Sequence, residues 1–373
     1  NGTVRINDPF GRTAIEADTR IRGFRSGADS VGEVNLTGNY DVKSGMLTFK
    51  AKADQNKDNL LDLDGIINTK DSTGTGTRIA LKSEKLNLSF LNEYLGDIFS
   101  DIKGFANTSD FAIVSNGKNL QITGSANIDS ASLIVNYTKC RYKFANESIL
   151  FNPDEIDFGR VILRDTLNNA ATLTGKMYHR FFKDVEFDNI KVSTNKMLVL
   201  NTTKKDNSQF YGKVIGKANL EITGNQDNVL MNISGEPSQA DSSHIYIVSG
   251  NSIESSAIDY IDFVQFGNKI EETFKSKSAA NVVLAMELTA NPSCKIDVIL
   301  DETTGDVIKG EGRGLLKIRV GNKEPLTING RYEIAKGEYR FNFQTFLQKY
   351  FTVSGGTLEW NGDPYKANIN MQA

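Results

Sequence analysis

Few residues in this 373-residue chain have the types and spacing that chemistry needs. Histidine occurs only as His179 and His244, and cysteine only as Cys140 and Cys294. A zinc site or a nucleophile–base pair requires such groups to converge at ligand or hydrogen-bond spacing. Each histidine instead stands alone in a strand-like segment, and the cysteines have no metal-ligand spacing. The cysteines read as two unpaired strand or turn residues, with pairing open only in an oxidising compartment. The acidic run Asp54 to Asp58, followed by Asp62 and Asp64-Gly65, raises the question of calcium. An EF-hand loop wants Gly at its sixth position and Glu at its twelfth. Here those positions are Asn59 and Gly65, so the run reads as a solvated hairpin tip. Gly310-Glu-Gly-Arg-Gly314 has the glycines of a phosphate loop but leads into a strand-like segment, not a helix. It reads as a turn or bulge between strands. No nucleophile elbow, Walker or His-Glu-x-x-His pattern is present. The expectation is a protein that is not an enzyme, with no catalytic residues, no metal and no cofactor.

The elements that would carry any other function are strands. Apolar and polar residues alternate through Leu36–Val42, Met46–Ala53, Leu120–Ile128, Ser132–Tyr137, Val282–Leu288, Ile296–Leu300, Leu315–Val320 and Leu326–Tyr332. Strict alternation puts one set of side chains on each face of a sheet. Turn pairs such as Asp64-Gly65, Asn116-Gly117, Gly224-Asn225 and Asn361-Gly362 punctuate them. Lys and Arg total 43 against 46 Asp and Glu, a net charge of −3, which lacks the concentrated basic face that nucleic acid requires. No stretch reaches the roughly 18–20 apolar residues of a spanning helix. No signal peptide is visible, so the chain reads as a piece of something larger.

A short segment recurs. Leu36-Thr-Gly38-Asn-Tyr40 through Phe49 matches Ile328-Asn-Gly330-Arg-Tyr332 through Phe341 position by position. Ile122-Thr-Gly124 through Val135 is a third copy. Each copy reads as one hairpin, reused without a fixed period.

Two segments break the alternation. Leu88, Leu91, Leu95, Ile98 and Ile102 have helical spacing, which predicts an amphipathic helix near 89–102. A second helical segment is predicted near 253–275, from Ile258, Ile261 and Val264. Two helices cannot cover so many strands. The sheet must therefore fold over on itself with its apolar face inward, either closed as a core or open as a groove.

The C-terminal third carries a resemblance. The Ile328–Phe343 segment is followed by Lys349-Tyr-Phe-Thr-Val353 and by Gly355-Gly-Thr-Leu-Glu-Trp360-Asn-Gly-Asp-Pro364. This order resembles the C-terminal domain of the TamB family of the translocation and assembly module. The likeness is specific over about 240–373 and looser over about 30–240, where it resembles Bacteroidetes-type members. TamB proteins are similar to AsmA-like and bridge-like lipid-transfer proteins.

The resemblance implies an all-β, elongated, folded-over sheet (a β-taco or open β-groove) of many short antiparallel strands with one or two short helices. It implies two parts, a groove segment over 1–240 and a C-terminal domain over 241–373. It implies a periplasmic conduit that carries phospholipid between the inner and outer membranes of a Gram-negative bacterium. The C-terminal end would dock on an outer-membrane barrel of the TamA or BamA kind. The inner-membrane anchor of the family would then lie outside this chain. By parity the groove would be lined by Leu47, Phe49, Leu133, Val135, Leu316, Ile318, Phe341, Phe343, Phe351, Val353, Leu358, Trp360, Ile369 and Met371. The same alternation fits plain core. The rival functions are an assembly module for outer-membrane proteins acting through that barrel, and a secreted β-solenoid with a closed, dry core.

Overall fold

In the computed structural model, residues 1–372 are described except 27–28, 55–59, 97, 118, 181–182, 209, 226, 249–280, 322 and 344–346. The helical segment expected near 253–275 and most of the acidic run lie outside the described residues. The chain divides into two compact units, Asn1–Asn201 with Lys217–Asn225, and Thr202–Gly216 with Gln226–Ala373.

The fold is all-β, as the alternation requires. The first unit opens with β1 (Gly2–Asn7), β2 (Ala14–Ser26), β3 (Asp29–Asp41), β4 (Met46–Asp54), β5 (Leu60–Asn68) and β6 (Thr77–Asn87). A 3-10 turn, Leu88–Phe90, and a one-turn helix, α1 (Leu91–Leu95), come next. The unit continues with β7 (Phe99–Asn116), β8 (Asn119–Val135), β9 (Cys140–Phe144), β10 (Glu147–Asn152), β11 (Glu155–Arg164), β12 (Ala170–Arg180) and β13 (Lys183–Thr202). Each strand from β1 to β8 pairs antiparallel with the next. The strand β14 (Phe210–Asn225) contributes residues to both units.

The second unit adds β15 (Asn228–Pro237), β16 (Ser243–Val248), β17 (Asn281–Ala290), β18 (Cys294–Asp301), β19 (Asp306–Gly321), β20 (Thr327–Phe343), β21 (Leu347–Val353), β22 (Gly355–Gly362) and β23 (Asn368–Gln372). β15 runs parallel to β17, and β16 runs parallel to β18. From β19 onward the pairs are antiparallel.

Several strands outrun what alternation marks, since β8 and β20 are each 17 residues long. The recurring segment explains why, and it corrects the hairpin reading in two of the three copies. In the first copy Asp41 turns the chain by accepting the N–H groups of Lys43 (2.9 Å) and Ser44 (3.2 Å). In the other two the chain runs straight on, with one extra residue bulged at Asp129 in β8 and at Ala335 in β20. These bulges fall at the place in each copy that Lys43 holds in the turn. A bulge re-aims the strand and shifts its side-chain parity by one. Each long strand therefore takes two partners in tandem. β8 pairs with β10 before its bulge and with β9 after it. β20 pairs with β22 before and with β21 after.

The helix near 89–102 is also shorter than its spacing predicts. It stops at Leu95, before Gly96, and residues 99–102 belong to β7.

Candidate functional site

The strand registers show which side chains share a face. In the first unit one row joins Ala17, Gly38, Phe49, Gly65 and Ile79 across β2 to β6, and continues to Ile113 and Ile122. The row beside it joins Ile15, Tyr40, Leu47 and Ile67. Leu47 and Phe49 thus lie on one apolar face and are half-buried there. The opposite face is polar, with cross-strand pairs Lys50–Asp64 (3.7 Å) and Lys52–Asp62 (3.4 Å). Exposed pairs of this kind contribute only about 0.2–1 kcal/mol each, so burial on the apolar side does most to hold the register. Toward the N-terminal edge the apolar side chains open to solvent, as at Val4, Ile6 and Ile21.

Leu133 and Val135 follow the bulge in β8, face Tyr142 and Cys140 across β9, and are half-buried. Leu133 packs with Phe144 and Ile149 against a buried cluster of Leu88, Ile102, Ala106, Ile128 and Ala131. Leu88 comes from the 3-10 turn, so this helical segment sits on the apolar face of β7 and β8.

The second unit is packed more tightly. Leu316 and Ile318 on β19 lie opposite Gly330 and Ile328 on β20, which in turn oppose Trp360 and Gly362 on β22. Tyr332 opposes Leu358, and Leu358 opposes Ile369 on β23. Leu316, Ile318, Val353, Leu358 and Trp360 keep only 1–3% of their surface. Ile369 and Met371 are half-buried. The glycines of Gly310 to Gly314 lie inside β19, not in a turn between strands. They leave room for the Tyr332 ring, whose hydroxyl donates to the Gly310 carbonyl at 3.2 Å. After the bulge at Ala335, Tyr339 and Phe341 share a face with Phe351 and Val353. Tyr339 stacks on Phe351 at 6.0 Å, and Phe351 remains 38% exposed. Phe343 pairs with Leu347 in the β20–β21 register.

The polar face of the second unit carries a different feature. Tyr211, Tyr246, Asp297 and Lys309 form one register row, beside a cavity of about 350 Å³ that Lys204, Glu302 and Arg340 also line. His244 Nε2 lies 3.0 Å from Asp297 Oδ1, and its ring stacks on Tyr246. Lys204 is engaged by Glu302 at 3.0 Å, and Arg340 donates twice to the Gly305 carbonyl. These charged groups are therefore committed to the fold. Among the described residues no group of three His, Cys, Asp or Glu side chains could hold a metal ion. Cys140 and Cys294 are both free and fully buried.

Sequence reasoning missed Ile79, Ile113 and Ile122 as members of the apolar row, because alternation within one strand does not say which residue of the next strand lies opposite it. It also missed Asn92, whose side chain ties α1 to β7. A lone asparagine between Leu91 and Leu95 was the available signal.

No curated protein and no solved structure matches this chain. The family model for the TamB C-terminal domain matches residues 159–373, which takes in β12 to β23 and the whole packed Tyr332–Trp360 region. Proteins of this family serve the translocation and assembly module of the Gram-negative envelope, alongside a TamA-like barrel of the outer membrane. With more than half its length matched, this chain belongs to the TamB family.

Proposed function

We propose that the chain is a section of a periplasmic conduit for phospholipid between the inner and outer membranes. In this reading the apolar face of the first unit shields acyl chains. The observation that carries it is the register-continuous row through Ala17, Phe49, Ile79 and Ile113, apolar on one side and salt-bridged on the other. A buried acyl chain gains about 0.8 kcal/mol per methylene. A face of near-equal sites lets it move along without entering water, so no catalysis is required. The half-buried Leu47, Phe49, Leu133 and Val135 are the acyl-facing positions in this reading. Leu316, Ile318, Val353, Leu358 and Trp360 act as core that holds the C-terminal sheet.

The test is crosslinking from a photoreactive residue at Phe49, with Thr48 on the opposite face as control. Adducts to phosphatidylethanolamine at Phe49 and none at Thr48 are expected. Equal labelling at the two sites, or none at Phe49, would overturn the reading.

A second reading applies to the C-terminal unit. Its dense core and exposed Phe351 favour a rigid module that docks on a TamA-like barrel and assists outer-membrane protein assembly. Capture of the barrel by the full chain, abolished by Phe351→Asp, is the expected result.

A further inference from the structure

One row on the polar face of the second unit is charged. Lys295 lies opposite Glu311, and Glu311 pairs with Lys336 at 2.9 Å. An aromatic stack stands on the same face. The ring of His244 lies 4.3 Å from that of Tyr246, and Tyr246 lies 4.8 Å from Tyr211 with the two planes 11° apart. Core burial does not account for these rings. On β16 it is Ile245 and Ile247, of the opposite parity, that are buried. Tyr211 is half-buried and stacks on Tyr246 alone. One face of its ring has no aromatic partner, and its hydroxyl makes no hydrogen bond among the described residues.

Tyr211 and Tyr246 line the cavity of about 350 Å³, a size within the range of small-ligand sites. Ile299 and Val307 add apolar surface to it. The cavity does not suit a simple ion. Lys204 is held by Glu302, Arg340 by the Gly305 carbonyl and Asp297 by His244. Lys309 makes no ion pair among the described residues, but Asp297 and Glu338 flank it in its row. Their negative charge opposes an anion placed beside it. A sugar hydroxyl both donates and accepts, so it can join groups that are already paired without separating them. The C–H face of a sugar ring packs on aromatic and aliphatic carbon.

We propose that this cavity is a glycan-binding site. A sugar ring packs on Tyr211, and its hydroxyls bond to the Tyr211 hydroxyl, the Lys309 ammonium and the Glu302 carboxylate. The site lies on the polar face, so it stands or falls independently of the acyl-chain reading.

The test is titration calorimetry on the full chain with three probes: an oligosaccharide of N-acetylglucosamine, the core oligosaccharide of lipopolysaccharide, and inorganic phosphate. Saturable binding of at least one oligosaccharide is expected, and the one that binds identifies the source of the glycan. Tyr211→Ala should weaken that binding by about tenfold through loss of the ring. If Tyr211→Ala does not fold, the exposed Lys309→Ala and the conservative Tyr211→Phe are read in its place, each weakening binding by about threefold or more through one lost hydrogen bond. Binding of neither oligosaccharide overturns the proposal, as does binding of phosphate alone. Oligosaccharide binding that none of these substitutions changes overturns it too, because the sugar then sits elsewhere.

Discussion

Phe49 lies directly opposite Gly65 on the neighbouring strand, and its ring fills the space that a β-carbon at Gly65 would occupy. On its other side Phe49 faces Gly38. The ring therefore lies over the strand at Gly65, while toward Gly38 only the Phe49 β-carbon comes close, 3.6 Å from where a β-carbon at Gly38 would sit. In the other two copies of the recurring segment the glycine equivalent to Gly38 also has an aromatic residue opposite it on a neighbouring strand. Gly124 faces Phe151, and Gly330 faces Trp360. An aromatic ring on a cross-strand glycine keeps apolar cover where the backbone itself has none.

Filling that space should be costly only while the ring is present. Gly65→Val is expected to destabilise the first unit by about 1–3 kcal/mol through overpacking. In a Phe49→Ala background the same substitution should cost much less. Urea unfolding of the four proteins of this cycle gives the coupling. A coupling near zero would mean that the ring and the glycine do not share that space.

The Tyr332 ring in the second unit makes a similar prediction with a polar part. A β-carbon at Gly312 would lie 3.0 Å from the Tyr332 ring. Tyr332→Phe removes only the bond to the Gly310 carbonyl and should cost about 1 kcal/mol. Tyr332→Ala empties a fully buried site and should cost about 3–5 kcal/mol. Thermal unfolding that ranks the two variants the other way would contradict this packing.

Much of this was legible from alternation. Leu316, Ile318, Leu358 and Trp360 sit in unbroken runs, so their shared face follows from parity alone. The hairpins assigned at Ile122–Val135 and Ile328–Phe341 were not legible. A tight turn and a one-residue bulge place polar residues between the same apolar flanks. Only the partner strands β9–β10 and β21–β22 decide between them. The helix expected to run to Ile102 fails for a related reason. Ile98 and Ile102 satisfy helical spacing, but the pairing of Phe99 with Val135 draws the chain into β7. Tertiary pairing outweighs a local period.

Among the described residues of the first unit Asp165 is the most deeply buried carboxylate, and it should control acid stability there. Only 3% exposed, it accepts the N–H groups of Leu167 (2.8 Å), Asn169 (2.8 Å) and Leu198 (2.7 Å) and the Asn169 side-chain amide (2.9 Å). Burial pushes its pKa up, but these hydrogen bonds outweigh it and hold the carboxyl below its ordinary value. The stability it contributes is therefore complete above the unfolded-state pKa, about 3.9, and is lost as pH falls through the lower folded value. Asp165→Ala should cost about 3 kcal/mol or more near neutral pH by stranding those donors. The variant should also lose less stability than the parent on acidification. Parallel acid-limb slopes in the two proteins would refute this assignment.

Burial should keep both thiols inert. It raises Cys140 to about 11 and Cys294 to about 12. Thiolate is the reactive form, so maleimide at about pH 8 should label neither in the native protein and both in denaturant. Mass spectrometry under oxidising conditions should find no disulfide in the folded chain. Rapid native labelling would show that one of the two sites opens.

The three repeat glycines should differ in what they tolerate, because only some carry a backbone conformation that side chains resist. Gly124 and Gly330 have φ values of 126° and 134°, and a β-carbon at Gly330 would meet the Leu315 carbonyl. At Gly38 the nearest atom to a built β-carbon is the Thr48 carbonyl oxygen at 3.4 Å, an ordinary contact. Gly38→Ala should therefore change stability by less than about 1 kcal/mol. Gly330→Ala should cost about 2–4 kcal/mol, combining backbone strain with a steric clash against the Leu315 carbonyl. The contrast follows from the bulge. In the first copy the chain turns and Gly38 stays in an ordinary strand conformation. In the others the strand continues past a bulge, and the glycine takes up the distortion on the approach to it. Equal costs at Gly38 and Gly330, measured by urea unfolding, would break the link between the bulge and the glycine that precedes it.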